Sequence, residues 1–253
     1  RAGGQTRPLL ARVLGELATG DLDPDDLVLL ASDPQAEVRA SAARALTSAP
    51  LNIALSMLAA LAEDDEWFVR LRAIVGLGQL QHPRAIPVLI DGLCDRNRLV
   101  RLRSATGLAH MDAQIEDVLD LVEARNDRYA LHALLSELET SGAVLAHVDR
   151  LASQGPPRER AARVLLRVLR LGAHRLLVSA LGAHRDRRVR FELARLLAHS
   201  KLRVLVPLLE RARESEPNSR RREIYAWVRE AIEGSRRTTR GGRRRVSSPA
   251  PVR

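Results

Sequence analysis

The sequence predicts an all-α solenoid of about six helical hairpins with terminal caps, and three observations carry that reading. First, Asp33, Asp64 and Asp95 recur at a constant interval of 31 residues, a step kept by Val38, Val69 and Val100, by Arg39, Arg70 and Arg101, and by Leu46, Leu77 and Leu108. A fifth column runs Ala42, Ala73, Ser104. Self-similarity at such a period marks a repeat architecture, in which each unit is one supersecondary element stacked on its neighbours. Second, apolar residues inside each unit follow helical spacing: Val38, Ala42, Ala45 and Leu46 stand at i, i+4, i+7 and i+8, one face of a helix. Third, 45% of the chain is hydrophobic but only 2% aromatic, so the core is built from Leu, Val and Ala. That excludes an aromatic-rich sandwich and a base-stacking platform.

Taken in order, residues 7–18 read as a helix and residues 21–26 as an acidic link. Three units follow, each an apolar helical stretch (27–31, 55–62, 86–94), an Asp-containing turn, and a second helix opened by Val-Arg. In the turn, Asp33 is placed to accept from free backbone amides, and Pro34 suits a first helical position. The small residue in the middle of the second helix lets neighbouring helices approach closely. Residues 126–138 keep the 31-residue step, with Asn126 in the Asp column, Leu131 in the Val column and His132 in place of Arg. Residues 158–169 keep only the helical Ala/Leu stripe, and the pattern returns at Val189, Arg190, Ala194 and Leu197. A last hairpin reads over 202–213 and 219–233, with Pro217-Asn218-Ser219 as its cap signal, Gly234 as its stop, and Arg220, Arg221, Arg222, Glu223, Arg229 and Glu230 as the polar outer face a terminal repeat needs. From residue 235 on, Arg, Gly, Ser, Thr and Pro leave almost nothing to bury, so the expected organisation is a solenoid over 1–234 and a disordered basic tail over 235–253.

The run Asp33-Pro34-x3-Val38-Arg39-x2-Ala42-Ala43-x-Ala45-Leu46, with its two echoes, resembles the HEAT repeat, especially the short HEAT-like type associated with phycobilisome lyases. The resemblance is strongest over residues 27–111 and implies a right-handed α-solenoid whose second helices line a concave surface. It does not imply a catalytic activity, since most members of this broad class are binding scaffolds.

Charge is unevenly spread. Residues 1–126 carry 13 basic and 18 acidic groups, a net of −5, and residues 127–253 carry 28 and 13, a net of +15. Such a field steers anionic partners, a nucleic-acid backbone or an acidic membrane surface. Lys201 is the one lysine among 41 basic residues, a bias a GC-rich genome also produces. The single cysteine, Cys94, forms no internal disulfide, and a reducing cytoplasm is the simplest home. The longest apolar run, 50–62, is short of the roughly 20 residues that span a bilayer. Because the chain begins at Arg1 and not Met, an N-terminal signal, anchor or domain is compatible with it, which adds the cytosolic face of a membrane as a second location.

Candidate functional residues fall into two sets. The columns Asp33, Asp64, Asp95 and Arg39, Arg70, Arg101 form a structural ladder, each Arg pairing with an Asp of its own or an adjacent unit. Arg44, Arg72 and Arg103 lie on the second helices outside the apolar face, and Arg72 and Arg103 share a column, so they form a basic stripe if that side is concave. These three, with Trp67 beside Phe68, are the candidate partner-binding residues, although inter-helix packing is an ordinary use of Trp. Catalytic, cofactor and metal sites are not predicted. The run Gly76-Leu77-Gly78-Gln79-Leu80-Gln81 lacks the last Gly of a dinucleotide fingerprint and sits on a helix. The triplets 172–174 and 182–184, both Gly-Ala-His, are ten apart and read as turn residues, and Asp64-Asp65-Glu66 reads as capping.

Three functions compete. A non-enzymatic scaffold or adaptor binds a protein partner, anionic or membrane-associated, through the solenoid surface. A nucleic-acid-binding solenoid of the DNA-repair glycosylase type needs a basic channel with converging aromatic and carboxylate groups, against which the acidic first half weighs. A lyase-like or chaperone-like helper of a chromophore protein follows only from the repeat subtype. The tail, with seven arginines from Arg236 on and one Arg-Gly-Gly step, adds weak, sequence-independent nucleic-acid binding.

Overall fold

Pro24 opens the first described helix, and Asp25 and Asp26 fill its first turn, where carboxylates face unpaired amides. The acidic link expected over 21–26 therefore gives way to helix from residue 24 onward. The computed structural model describes residues 24–234; the helix expected over 7–18 and the tail over 235–253 lie outside them. Among the described residues are fourteen α-helices and no strands.

These helices fall into two compact units, divided between Ala143 and Val144. The first holds α1 (Pro24–Ala31), α2 (Ala36–Ala45), α3 (Leu51–Leu61), α4 (Trp67–Leu80), α5 (Ile86–Leu93), α6 (Arg98–Ala109), α7 (Ile115–Ala124) and α8 (Arg128–Thr140). The second holds α9 (Ala143–Asp149), α10 (Pro156–Leu171), α11 (His174–Ala183), α12 (Arg187–Ser200), α13 (Val206–Ser215) and α14 (Ser219–Gly234). Paired in sequence they make seven hairpins, in keeping with the about six plus terminal caps that the spacing suggests; α9 and α10 form theirs without the Asp or Val-Arg signature. The architecture is an all-α, HEAT-like solenoid.

Within each unit the second helices of successive hairpins pack on one another, α2 on α4 on α6 on α8 and α12 on α14. The repeat columns explain why. Val38, Val69 and Val100 and Leu46, Leu77 and Leu108 are all buried. Truncating one such leucine to Ala costs about 2–5 kcal/mol through lost transfer energy and the cavity left behind. Where α4 meets α6, a Cβ on Gly78 would stand 3.1 Å from the Gly107 Cα, a tight contact that the two facing glycines avoid. In the Ala42/Ala73 column Ser104 brings a hydroxyl into the core, buried with no hydrogen-bond partner. Gly92 of α5 makes room for it, since a Cβ there would collide with that hydroxyl.

The turns differ from the sequence expectation in one detail. The Asp33 carboxylate accepts from the Gln35 amide at 2.8 Å, but Gln35 is the N-cap and Ala36 the first helical residue, so Pro34 lies outside the helix and not at its first position. Asp64 and Asp95 make the same contact, accepting from Glu66 and Asn97 at 3.0 and 2.6 Å. The aspartate thus shapes the turn two residues ahead of the cap.

The partner-binding candidates and the arginine ladder

The ladder arginines reach both turns that the sequence left open. Nη1 of Arg39 donates to its own unit's Asp33 and Pro34 carbonyls at 2.9 and 3.2 Å, while Nε and Nη2 hold both oxygens of Asp64 in the next unit at 2.6 and 2.8 Å. Arg70 repeats this: Nη1 donates to the Asp64 and Asp65 carbonyls, each at 2.8 Å, and Nε and Nη2 hold Asp95 at 2.7 and 3.1 Å. A planar fork with five donors suits this double grip. The hydrogen bond from Arg39 holds the Asp64 carboxyl below the usual carboxylate range against the upward push of burial. At Asp95 burial pushes up most strongly, yet the Arg70 hydrogen bond and the Asn97 amide together bring the net shift below that range.

Arg101 keeps only the inner grip, donating to the Asp95 and Arg96 carbonyls at 2.7 and 3.2 Å. Arg190 of the second unit does the same at His184 and Arg185, 2.6 and 2.9 Å, and its Nε is buried without a partner. Burial, then Arg221 and Arg187, lower its pKa from the ordinary guanidinium value. Glu216, which stands three residues before α14, faces Arg221 at 3.9 Å instead. A cavity of about 410 Å³ opens there, lined by Arg175, Ser179, Glu216, Arg221 and Tyr225 among others. Burial, with Glu216 nearby, raises the Tyr225 pKa.

The candidate partner-binding residues all belong to the first unit and are all exposed. Arg72 on α4 and Arg103 on α6 share a column; Arg44 on α2 is exposed too, but its column continues as Val75 and Thr106, so it stands apart from the other two. Trp67 is the first residue of α4, 40% exposed, with Phe68 edge-on at 6.0 Å and 87°. Sequence reasoning overlooked Leu99 and Leu102 on α6, 46% and 45% exposed. It also overlooked Tyr129 at the start of α8, although Tyr129 lies two periods after Trp67 and the column alone finds it.

Elsewhere the polar groups are absorbed by packing. Gly172 closes α10, but Gly182, expected in a turn, lies inside α11, where the Tyr225 hydroxyl leaves no room for a Cβ. His184 Nε2 and Asp149 are 2.8 Å apart. Burial raises the Cys94 thiol pKa, which keeps it from being a ready nucleophile. Among the described residues no group of three or more His, Cys, Asp or Glu is placed to hold a metal, and no helix is long and apolar enough to cross a membrane.

Stacked hairpins tied by an Asp-Arg ladder define a helical-repeat class, and comparison with known families is specific about which. Residues 24–109 and 54–139 match the HEAT-repeat family, so the chain is a HEAT-repeat protein through that stretch. No curated protein matches it in sequence. Among solved structures it is similar to an engineered protein (20% identity, 84% of this chain and 99% of that one, TM-score 0.44). It is also similar to the complex of CpcE and CpcF of phycocyanin lyase from Nostoc sp. (17% identity, 83% and 95%, TM-score 0.37). A third is human deoxyhypusine hydroxylase in complex with glycerol (19% identity, 87% and 99%, TM-score 0.39). At such scores these likenesses assign no partner and no reaction.

Proposed function

We propose that the chain is a non-enzymatic scaffold or adaptor that binds a protein partner through the exposed face of the second helices of its first unit. One observation carries the reading: apolar side chains that gain nothing from exposure, Trp67, Leu99 and Leu102, stand on α4 and α6, the helices that also carry the exposed Arg72 and Arg103. Aromatic residues and Arg are the types enriched where protein surfaces meet. The extended faces of stacked repeats are used in this way across repeat proteins. An anionic partner, in the cytoplasm or at the cytosolic face of a membrane, fits the arginines best.

The test is affinity capture from native cells, membrane fraction included, with wild type and with Arg72→Glu/Arg103→Glu. Both substitutions are on solvated sites, so the helix content should stay unchanged while the captured partner is lost. Equal capture by a folded double variant would overturn the assignment of this face.

A further inference from the structure

Two repeats show what the outer edge of a ladder arginine binds, and the third leaves that edge open. Nε and Nη2 of Arg39 and Arg70 each grip an aspartate 25 residues on. For Arg101 the described residues offer no carboxylate within ion-pair distance, although its inner grip is intact. Two ways of counting find the missing group. One period after Asp95 stands Asn126. Two residues before the helix cap, the place that Asp33, Asp64 and Asp95 occupy relative to Gln35, Glu66 and Asn97, stands Arg125, because the cap here is Asp127 and the turn is one residue shorter. Arg125 is turned away, onto Asp91.

What remains is a cavity of about 290 Å³ lined by Leu93, Cys94, Asp95, Arg101, Asp127 and Tyr129. Neither of its own carboxylates pairs with Arg101, although Asp127, whose cap uses Oδ1 alone, stands near enough for Arg101 to lower its pKa. Asp95 is held by Arg70 and the Asn97 amide, and Asp127 caps α8 by accepting from Tyr129 and Ala130 at 2.8 and 3.1 Å. Residues 91–103 and 125–129 together carry six arginines and three aspartates, and Asp91 answers Arg125, so what the cavity offers an anion is the open fork of Arg101. Tyr129 on the cavity wall is 84% exposed, a ring with a polar tip of the kind that docks partners.

We propose that this cavity receives the side-chain carboxylate of an aspartate from a partner protein, gripped by Nε and Nη2 of Arg101 as Asp64 and Asp95 are gripped by Arg39 and Arg70. The aspartate lies in a segment with apolar neighbours, which Leu93 and Tyr129 of the cavity wall accommodate. The idea rests on the scaffold reading and names the chemistry that the scaffold recognises.

The test uses the full chain and two capped tripeptides, Leu-Asp-Leu and Leu-Asn-Leu, followed through the arginine Nε–H resonances in ¹⁵N spectra. The Arg101 signal is identified by its disappearance in Arg101→Lys. Leu-Asp-Leu should shift it saturably, and Leu-Asn-Leu should bind at least about tenfold more weakly because charge-assisted bidentate bonds are the strong ones. Arg101→Lys, which keeps the charge but not the fork, should weaken Leu-Asp-Leu binding by a similar factor, read from backbone amides around the cavity. An unmoved Arg101 signal, equal binding of the two peptides, or undiminished binding to Arg101→Lys would each overturn the proposal. None of these outcomes touches the capture experiment with Arg72→Glu/Arg103→Glu, so the slot and the scaffold reading fail separately.

Discussion

Arg70→Ala removes the best-enclosed rung of the ladder. The wild-type guanidinium makes four hydrogen bonds, two to Asp95 and two to the carbonyls of Asp64 and Asp65, and its side chain is 7% exposed. Removing one partner of a buried ion pair costs about 3–5 kcal/mol when the other charge is left dry. Asp95 is not left dry: it keeps the Asn97 amide and lines an open cavity that admits water. The expected loss is therefore about 2–3 kcal/mol, between the buried-pair range and the roughly 1–3 kcal/mol of an unsatisfied hydrogen-bonding group. Arg39 is more exposed, at 18%, so Arg39→Ala should cost less, about 1–2 kcal/mol. Arg101→Ala, which breaks no ion pair, should cost least. Urea unfolding followed by far-ultraviolet circular dichroism gives the three values, and unchanged slopes would show that the variants unfold over the same surface. A loss for Arg70→Ala within about 0.5 kcal/mol of zero, the usual range for a surface site, would refute the ladder as a source of stability. So would a reversed order of Arg70 and Arg39.

Ser104→Ala should be neutral or stabilise by up to about 1 kcal/mol, because it deletes a buried hydroxyl with no partner; a clear loss of thermal midpoint would mean that the hydroxyl is satisfied. The depressed carboxyls of Asp64 and Asp95 contribute stability that is complete above the ordinary Asp value of about 3.9 and disappears as pH falls below it toward their folded-state values. Urea midpoints should therefore hold from neutral pH to about 5 and drop below about 4, and Arg39→Ala/Arg70→Ala should flatten that drop; an identical acid slope in the double variant would contradict the pairing. Deleting residues 236–253, with their seven arginines, should abolish a weak, steeply salt-dependent binding of fluorescent DNA while partner capture survives. Tight, sequence-selective DNA binding by the shortened chain would favour a nucleic-acid-reading solenoid instead.

The first unit is legible in sequence because its columns coincide with physical necessities: a valine and a leucine that must be buried, an aspartate that shapes a turn, and an arginine that grips it. The second unit is harder to read. Arg190 keeps its contacts to the two carbonyls behind it, yet nothing in a linear reading shows that Glu216 takes the aspartate's place and turns to Arg221. Likewise, the separation of 25 residues between Arg39 and Asp64 looks like no motif; it is the 31-residue step less the six that divide Arg39 from its own turn. Leu99 and Leu102 escape notice because a leucine in an amphipathic helix is read as core. Only the stacking of α4, α6 and α8 shows which leucines it leaves uncovered.

A ladder in which Arg39 and Arg70 both grip forward has a consequence for how such a chain grows. Residues 64–94 form a cassette that begins with the aspartate answering the unit before and contains the arginine that seeks the unit after. A tandem duplication of that cassette joins like to like: the Arg70 of the first copy meets the Asp64 of the second, and the second copy's arginine meets Asp95. No charge is orphaned at the new seam. Lengthening by whole cassettes is thus electrostatically silent in this fold, whereas an insertion that parts Arg70 from the aspartate it grips strands both a guanidinium and a carboxylate. The constant 31-residue spacing of Asp33, Asp64 and Asp95 keeps that rule.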